Sequence, residues 1–581
     1  MPWHCFRHQI FFVSELTESD LSAAPLSDAL AYWLGLDVPL SHIAARVGVS
    51  PALLATARLG LASRPNIAGY PSATIWSDRT VAALVRKGLD RADDAIIYYI
   101  AGEGAVSAGE LRALVAQTCA ALSAAGVGPG RAVAVDAAPR LESCLIVLAA
   151  MLLGAPVVRL THHFDAASFC AEREVAPAAL TVSKQADWAT GLTAAGHLVG
   201  LDDSNAQNFA DWLADHDGAS IPPAATVMPG DTALIGFTSG STGAPKCIAT
   251  SHEAVFRATE AMQSLFAFTR EDVFCTVSHF SALSAFRSII TLPLLTGGRA
   301  LLPSPAAATS PLVMAIECRD YGVTQLTAVP ALLRSLTALQ GRLGPAPLPA
   351  LKTAFSGSGV LDQPSCDRFV AAFGVPAVDY YGGREFATAV YADRDGVATV
   401  SSAGGLPVNC LIRIVGGDGR QLPAGTCGQV MVHSDSMMQD LPAAPFPAWQ
   451  GWHNTGDLGI VDSGGRLRIV GRVRDVIKAR DGTMIFPAEI EGALMTIEGV
   501  SEAAVFGHSA ADGSEHVIAA VTLAEPDDNF AARAAVLMLA RVGQMRMPSC
   551  FIAVPDFPRV GSLKIDRAAL KASLEASISH L

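Results

Sequence analysis

The chain has 581 residues, 51% of them apolar and only 16% charged, with a formal net charge of -13. That length exceeds what one hydrophobic core usually serves, so two or more domains are expected, and the apolar content excludes a disordered or fibrous chain. The negative balance gives no general attraction to nucleic-acid backbones or anionic lipid, so neither nucleic acid nor membrane is an expected partner.

Residues 1–74 read as a short helical extension, with a turn at Gly48-Val49-Ser50-Pro51 that suggests a helix-turn-helix. Residues 1–75 hold four basic side chains (Arg7, Arg46, Arg58, Arg64) and five acidic ones (Glu15, Glu18, Asp20, Asp28, Asp37). A DNA reader needs a basic face, so a structural extension is the expectation. The opening MPWHCFRHQIFFVSELTESD has too short an apolar patch for a secretory signal. The eleven cysteines show no CxxC pair or other metal-ligand spacing, which suits reduced thiols and a cytoplasmic location.

From about residue 75 helical and strand patterns alternate. A helix is predicted over roughly Ser107 to Ala125, followed by an apolar strand at Ala132 to Val135. The longest apolar run, Cys144 to Val158, is shorter than the roughly 20 residues that span a bilayer and reads as a buried helix running into a strand. Further buried strands are expected at Thr232–Ile235, Val273–Val277 and Gln325–Val329. This alternation predicts an α/β fold. Past Gly404, Gly-Asp-Gly, Pro-Ala-Gly and Ser-Gly-Gly turns predict a compact β region, and a last α+β segment runs from 473 to 581. The expected division is therefore 1–74, 75–472 and 473–581.

The strongest local signal is Thr238-Ser239-Gly240-Ser241-Thr242-Gly243-Ala244-Pro245-Lys246, directly after an apolar strand. Glycines allow close backbone approach, hydroxyls and N–H groups cradle phosphate oxygens, and a lysine supplies a point charge, so this is an anion-binding loop. It is not a Walker loop, because Lys246 follows Pro245 and precedes Cys247. Four more segments follow in order: Ser356-Gly357-Ser358-Gly359-Val360-Leu361; Tyr381-Gly382-Gly383-Arg384-Glu385; Gly451-Trp452-His453-Asn454-Thr455-Gly456-Asp457-Leu458-Gly459; and Gly471-Arg472-Val473-Arg474-Asp475-Val476-Ile477-Lys478.

In this order the set resembles the motifs of the ANL superfamily of adenylate-forming enzymes, which comprises acyl-CoA synthetases, nonribosomal peptide adenylation domains and luciferases. The likeness covers about residue 75 to the end. It implies a large amino-terminal adenylation domain and a smaller carboxy-terminal domain that swings about a hinge at Arg474. It also implies ATP, Mg²⁺ and CoA, or the phosphopantetheine of a carrier protein, as cofactors. By that resemblance Thr238, Ser239, Gly240, Ser241, Thr242, Gly243 and Lys246 hold the phosphates. Gly357, Ser358, Gly359, Tyr381 and Gly382 hold adenine, Asp457 and Arg472 hold the ribose, and Glu385 holds the metal. Lys564, in Gly561-Ser562-Leu563-Lys564, is similar to the lysine that bridges the reacting carboxylate and the α-phosphate. Arg384 stands where the family carries threonine, which places a fixed charge against phosphate and adds it to the catalytic group. Cys247 and Leu563 replace glycines of the family pattern, and the loop Ala479-Arg480-Asp481-Gly482-Thr483 lacks the usual Gly-Gly.

The acid pocket is expected around Val277 to Arg287. His279 matches the histidine of acyl- and aryl-CoA ligases, with Phe280 and Phe286 as lining. No acidic residue lies between Val277 and Arg287 to meet an α-ammonium group, so an aryl or medium-length acyl acid is the expected small-molecule partner. Arg287 is expected on a helix surface, with pairing to a second carboxylate as the alternative. The predicted activity is formation of an acyl-AMP and transfer to the thiol of CoA. One alternative acceptor is the phosphopantetheine of a stand-alone carrier protein. Another reading is a ligand sensor with a DNA-binding extension. A hydrolase is disfavoured, since no GxSxG elbow occurs.

Overall fold

The computed structural model describes residues 80–160, 166–201, 206–217, 220–222, 227–239, 245–344, 347–359, 361–391, 410–434, 436–439, 452–462, 466–479, 484–509, 515–558 and 565–578. The 1–74 extension, Gly240 to Gly243, the 480–483 loop, Leu563 and Lys564 lie outside them.

The alternating apolar runs become two parallel-rich sheets. The first has eight strands in the order Ala387–Tyr391, Ala377–Gly383, Thr353–Ser356, Gln325–Ala328, Val273–Thr276, Arg299–Leu302, Ile96–Ile100, Gly104–Ser107. The second has seven, in the order Gln207–Asn208, His197–Gly200, Leu180–Ser183, Val133–Asp136, Val157–Leu160, Thr232–Ser239, Pro245–Ser251. Antiparallel pairing is confined to edge strands, Gly104–Ser107 and Ala387–Tyr391 in the first and Pro245–Ser251 in the second. Several inner strands, among them Val133–Asp136 and Val157–Leu160, are buried at every residue. That accounts for their unbroken apolar character, since a parallel sheet is covered on both faces.

One core draws residues from both sheets, including Tyr98 and Leu302 of the first and Val135 and Val157 of the second, together with the helices Ala108–Ala124 and Leu141–Leu152. The first of these helices starts at a capping box: Ser107 Oγ accepts from Glu110 N–H and the Glu110 carboxylate accepts from Ser107 N–H. It matches the expected element to within a residue at each end. The Cys144 to Val158 run is divided as expected between the Leu141–Leu152 helix and the Val157–Leu160 strand. No helix among the described residues is long and apolar enough to cross a membrane.

The Gly-rich β region after Gly404 is a four-stranded antiparallel sheet, Cys410–Val415, Gly428–Ser434, His453–Val461 and Leu467–Arg472. Phe386 inserts into its apolar face beside Ile412, Val430 and Val432, which fixes the preceding Arg384-Glu385 pair against this sheet. Beyond Arg472 the chain builds a three-stranded sheet of Val500–Ser509, Glu515–Leu523 and Cys550–Ala553 with apolar clusters of its own.

The Thr232–Ser239 strand extends past its apolar stretch, because Thr238 and Ser239 continue the ladder with the edge strand Pro245–Ser251, pairing Thr238 with Lys246. The His252–Phe266 helix leaves that edge strand with Ser251 as its N-cap, Oγ accepting from Ala254 N–H at 3.1 Å. Ser251→Ala should therefore destabilise the fold by about 1 kcal/mol, read as a lower urea midpoint at unchanged slope; an unchanged midpoint would show that the helix start is held by packing alone.

Candidate functional site

Residues singled out by the motifs sit where parallel strands end. Ser239 closes Thr232–Ser239, Gly357 follows Thr353–Ser356, Gly382 and Gly383 close Ala377–Gly383, and His279 lies just past Val273–Thr276. In open α/β sheets the crevice beyond the strand carboxyl ends is the ordinary place for a ligand.

The antiparallel register of the phosphate-loop strands sets Lys246 opposite Thr238, so the hairpin brings its lysine back to the strand that carries the first hydroxyl of the motif. Lys246 and Cys247 are exposed. The Cys247 thiol lies 3.6 Å from Val175 O, and burial raises its pKa.

In the second motif, Gly357 is dictated by the Tyr380 ring: a Cβ there would sit 2.1 Å from it. The next residue, Ser358, holds a φ of 66°, and Ala387 on the far side of Glu385 holds 57°. Left-handed backbone at non-glycine residues costs on the order of 1–3 kcal/mol each and collects at ligand sites; here Ser358 lies inside the Ser356–Leu361 motif and Ala387 two residues past Glu385, while a third, Ala267, caps the end of the His252–Phe266 helix.

Tyr381, Asp457 and Arg472 come together. Tyr381 O–H donates to Asp457 Oδ2 at 2.6 Å across 76 residues of sequence, and Arg472 Nε lies 3.1 Å from Asp457 Oδ1. Asp457 is buried while Arg472 is half-exposed. Burial, with the Asp457 charge second, pushes the Tyr381 phenol well above its usual pKa, so it remains a donor. Glu385 is half-buried, and its backbone carbonyl accepts from Met438 N–H at 2.7 Å. Gln439 N–H then donates to Ala249 O at 2.7 Å, tying this turn to the phosphate-loop hairpin. Burial lowers the Arg384 pKa, and the charges of Glu172 and Glu385 oppose that.

No cluster of three metal-ligating side chains occurs among the described residues. One carboxylate at Glu385 fits Mg²⁺, which is ordinarily held by one or two carboxylates together with substrate phosphates.

Around the expected acid pocket, His279 is half-buried. Phe280 and Phe286 are fully buried, 6.1 Å apart edge to face, within the core between the two sheets. Arg287 is not on a helix surface: it is 2% exposed, at the start of a π-helical turn, Arg287–Thr291, with Nη1 donating to Ala258 O at 3.2 Å. The flanking apolar residues and the wide turn draw it inward. Arg474 is exposed beside Asp475 in the short Val473–Asp475 helix.

Two residues of the site escape the motif reading. His453 lies in the Asp457 motif and carries an electrostatic coupling to Glu385 and Asp457, with its ring 5.7 Å from Phe386. Arg159 is the penultimate residue of the Val157–Leu160 strand, at 3% exposure. Its one signal in the sequence is a charge in an otherwise apolar strand.

Burial lowers the His453 pKa from 6.5, and the two carboxylates oppose that. A histidine with a depressed folded pKa contributes stability that is complete above the unfolded value and is lost as pH falls through the folded one. His453→Gln should therefore lose less stability than the parent between about pH 7.5 and about pH 5.5, in urea unfolding at each pH. Equal losses would assign the acid-side titration to other groups.

The sequence model of the AMP-binding enzyme family matches residues 86–440. The chain is 30% identical over 361 residues to the indoleacetate–CoA ligase of Aromatoleum aromaticum, covering 61% of this chain and 69% of that protein. It is 29% identical over 368 residues to the sulfoacetate–CoA ligase of Cupriavidus necator, covering 61% and 70%. Among solved structures, the anthranilate CoA ligase AuaEII in complex with anthranoyl-AMP superposes with a TM-score of 0.77 at 20% identity, covering 86% of this chain and 98% of that one. The matched region contains the hairpin, the Ser356–Gly359 turn and the Tyr381–Glu385 segment, and on that ground the chain belongs to the AMP-binding enzyme family.

Proposed function

We propose that the chain activates a carboxylic acid as its acyl-AMP and passes the acyl group to the thiol of CoA. The observation that supports this most directly is the Tyr381–Asp457–Arg472 chain of contacts. It joins an aromatic ring, a buried carboxylate and a guanidinium beside the strand ends, a set suited to an adenosine, with ring for base and carboxylate for ribose hydroxyls.

A carboxylate oxygen of the acid attacks the α-phosphorus, the α–β bridging P–O bond breaks, and its electron pair leaves with pyrophosphate. Catalysis of such a step is positioning and neutralisation of charge. Lys246 and the hydroxyls of Thr238, Ser239, Ser241 and Thr242 take the β- and γ-phosphates, and Arg384 adds a fixed charge on the opposite wall. Glu385 holds Mg²⁺, which neutralises phosphate charge when bound. Lys564 approaches the reacting carboxylate, and a turn at Arg474 withdraws it so that the thiol can attack the acyl-AMP carbonyl, with AMP leaving, in the second half-reaction. Residues 75–472 form the adenylation unit in this reading, and 473–581 the moving one.

The acid enters beside His279, with Phe280 and Phe286 as the apolar backing. The absence of an acidic residue from Val277 to Arg287 favours an acid without an α-ammonium group. The similarity to ligases named for indoleacetate and sulfoacetate makes aryl and small substituted acetic acids the first to try.

Pyrophosphate release from MgATP should appear with one class in a panel of aryl, fatty and amino acids. Lys564→Ala should reduce it by about 100-fold or more, the scale on which one transition-state charge contact acts. Adding CoA should raise turnover and yield a thioester, whereas release indifferent to CoA would transfer the second step to a carrier protein. Silence across the panel would overturn adenylation. Separately, Arg474→Pro should leave ATP–pyrophosphate exchange intact and impair thioester formation; equal loss of both would remove the hinge from the mechanism.

A further inference from the structure

Arg159 has no counterpart in the motifs, yet it is a built feature of the same cleft. It is the penultimate residue of the Val157–Leu160 strand, one of the parallel strands whose carboxyl ends face the site. The neighbouring strand is Thr232–Ser239, in parallel register with Val158 beside Ile235. Arg159 therefore lies beside Gly236, and its Nη2 comes within 3.0 Å of the place a Gly236 Cβ would take. The guanidinium thus rests on bare backbone two residues before Thr238, and positions 236 and 238 share one face of the strand.

The side chain is 3% exposed. Among the described residues it makes one hydrogen bond, Nη1 to Phe280 O at 3.1 Å, and its Nε is buried without an acceptor. No carboxylate pairs with it among the described residues. The charge that acts on it is that of Arg384, of the same sign. Burial first, and Arg384 second, pull its pKa down to about 9, still above neutral, so the group keeps its charge.

A guanidinium taken out of water is strongly disfavoured unless it is paired, and a second one whose charge acts on it adds to that penalty. Arg159 is buried and Arg384 half-buried, and the turn after Arg384-Glu385 is tied through Met438 and Gln439 to Ala249, which pairs with Ile235 beside Val158, so both guanidiniums belong to the region around the end of the Thr232–Ser239 strand. We propose that Arg159 and Arg384 form a two-guanidinium clamp for the phosphoanhydride tail of ATP, Arg159 approaching from the seven-stranded sheet and Arg384 from the eight-stranded one. The clamp holds the β- and γ-phosphates before the reaction and the departing pyrophosphate after it. This rests on the adenylation reading for the identity of the ligand. The shared chemistry is a multiply charged oxyanion, and a second anionic group on the acid substrate is the other source of one.

The test is calorimetric titration of the full-length protein with inorganic pyrophosphate and Mg²⁺, alongside the KM values for ATP and for the acid. Arg159→Met keeps length and apolar stem but removes the charge. It should weaken pyrophosphate binding and raise the ATP KM by about tenfold or more, leaving the acid KM unchanged, as expected for a lost charge-assisted contact. Arg159→Lys retains a point charge without the fork and should fall between; it also serves if the Met variant does not fold. Unchanged pyrophosphate affinity with a lower urea midpoint would reduce Arg159 to a brace for the Phe280 carbonyl and overturn the clamp. A rise in KM confined to acids bearing a second anionic group would overturn it in favour of a substrate-reading arginine. Pyrophosphate binding that depends on Arg159 in a protein that activates no acid would uphold the clamp and remove the adenylation reading instead.

Discussion

The site depends on two sheets ending at one place, and the peptide of Phe280 is where they are joined. Its N–H donates to Ala137 O at 2.8 Å and its carbonyl accepts from Arg159 Nη1 at 3.1 Å. Ala137 and Arg159 lie at the ends of neighbouring strands of the seven-stranded sheet, whereas Phe280 belongs to the loop that leaves the eight-stranded one. A buried peptide with both polar groups taken is a fixed point, because releasing either leaves an unpaired group in the interior. Around it the apolar rings of Phe280 and Phe286 close the core. Half-buried His279 is left at the edge. His279 thus follows directly on a backbone held by both sheets.

Charge is distributed unevenly about this point. Core strands of the two sheets are almost wholly apolar, yet buried or half-buried ionisable groups gather at their carboxyl ends: Arg159, Glu172, Arg384, Glu385 and Asp457. Burying charge is unfavourable without compensation, and compensation within the chain is incomplete on the cationic side. Asp457 has Tyr381 and Arg472, but Arg159 has one carbonyl. What stands out is not the sum of these charges but Arg159, a buried guanidinium with no carboxylate of its own beside the strand that leads into the hydroxyl-rich loop. With an overall charge of -13, any attraction for phosphate in the proposed reading would be local to this corner of the cleft.

What the sequence made legible follows from the range of the interactions involved. The α/β alternation, the helix Ala108–Ala124 and the compact β region past Gly404 were visible because strand runs, helical periods and Gly-rich turns are local signals; the number of sheets and their pairing were not. The placement of the Thr238–Lys246 loop after an apolar strand was visible for the same reason, whereas the strand ends before Gly357 and at Gly382 came only with the fold. Arg287 was misjudged because arginine is seldom buried, and only the π-helical turn and the chain around Ala258 draw it inside. Arg159 and His453 were not seen as functional because their meaning lies in long-range neighbours. Arg159 meets Phe280 across 121 residues of sequence. No window of sequence contains that pairing.

In the proposed reading, the Asp457 carboxylate would meet a nucleotide from within a network that is already formed. Ionised carboxylate offers about four acceptor positions over its two oxygens. Tyr381 takes one on Oδ2 and Arg472 faces Oδ1, so both oxygens are held in place from within the chain. The pKa of the Tyr381 phenol, raised well above its usual value, keeps it protonated and donating, which leaves the ring fixed rather than free to turn. Because Arg472 is half-exposed and Asp457 is buried, the arginine is the member able to shift as a ribose enters. The ring and the carboxylate would remain as they are, and the ordering entropy of the site is already spent before the nucleotide arrives.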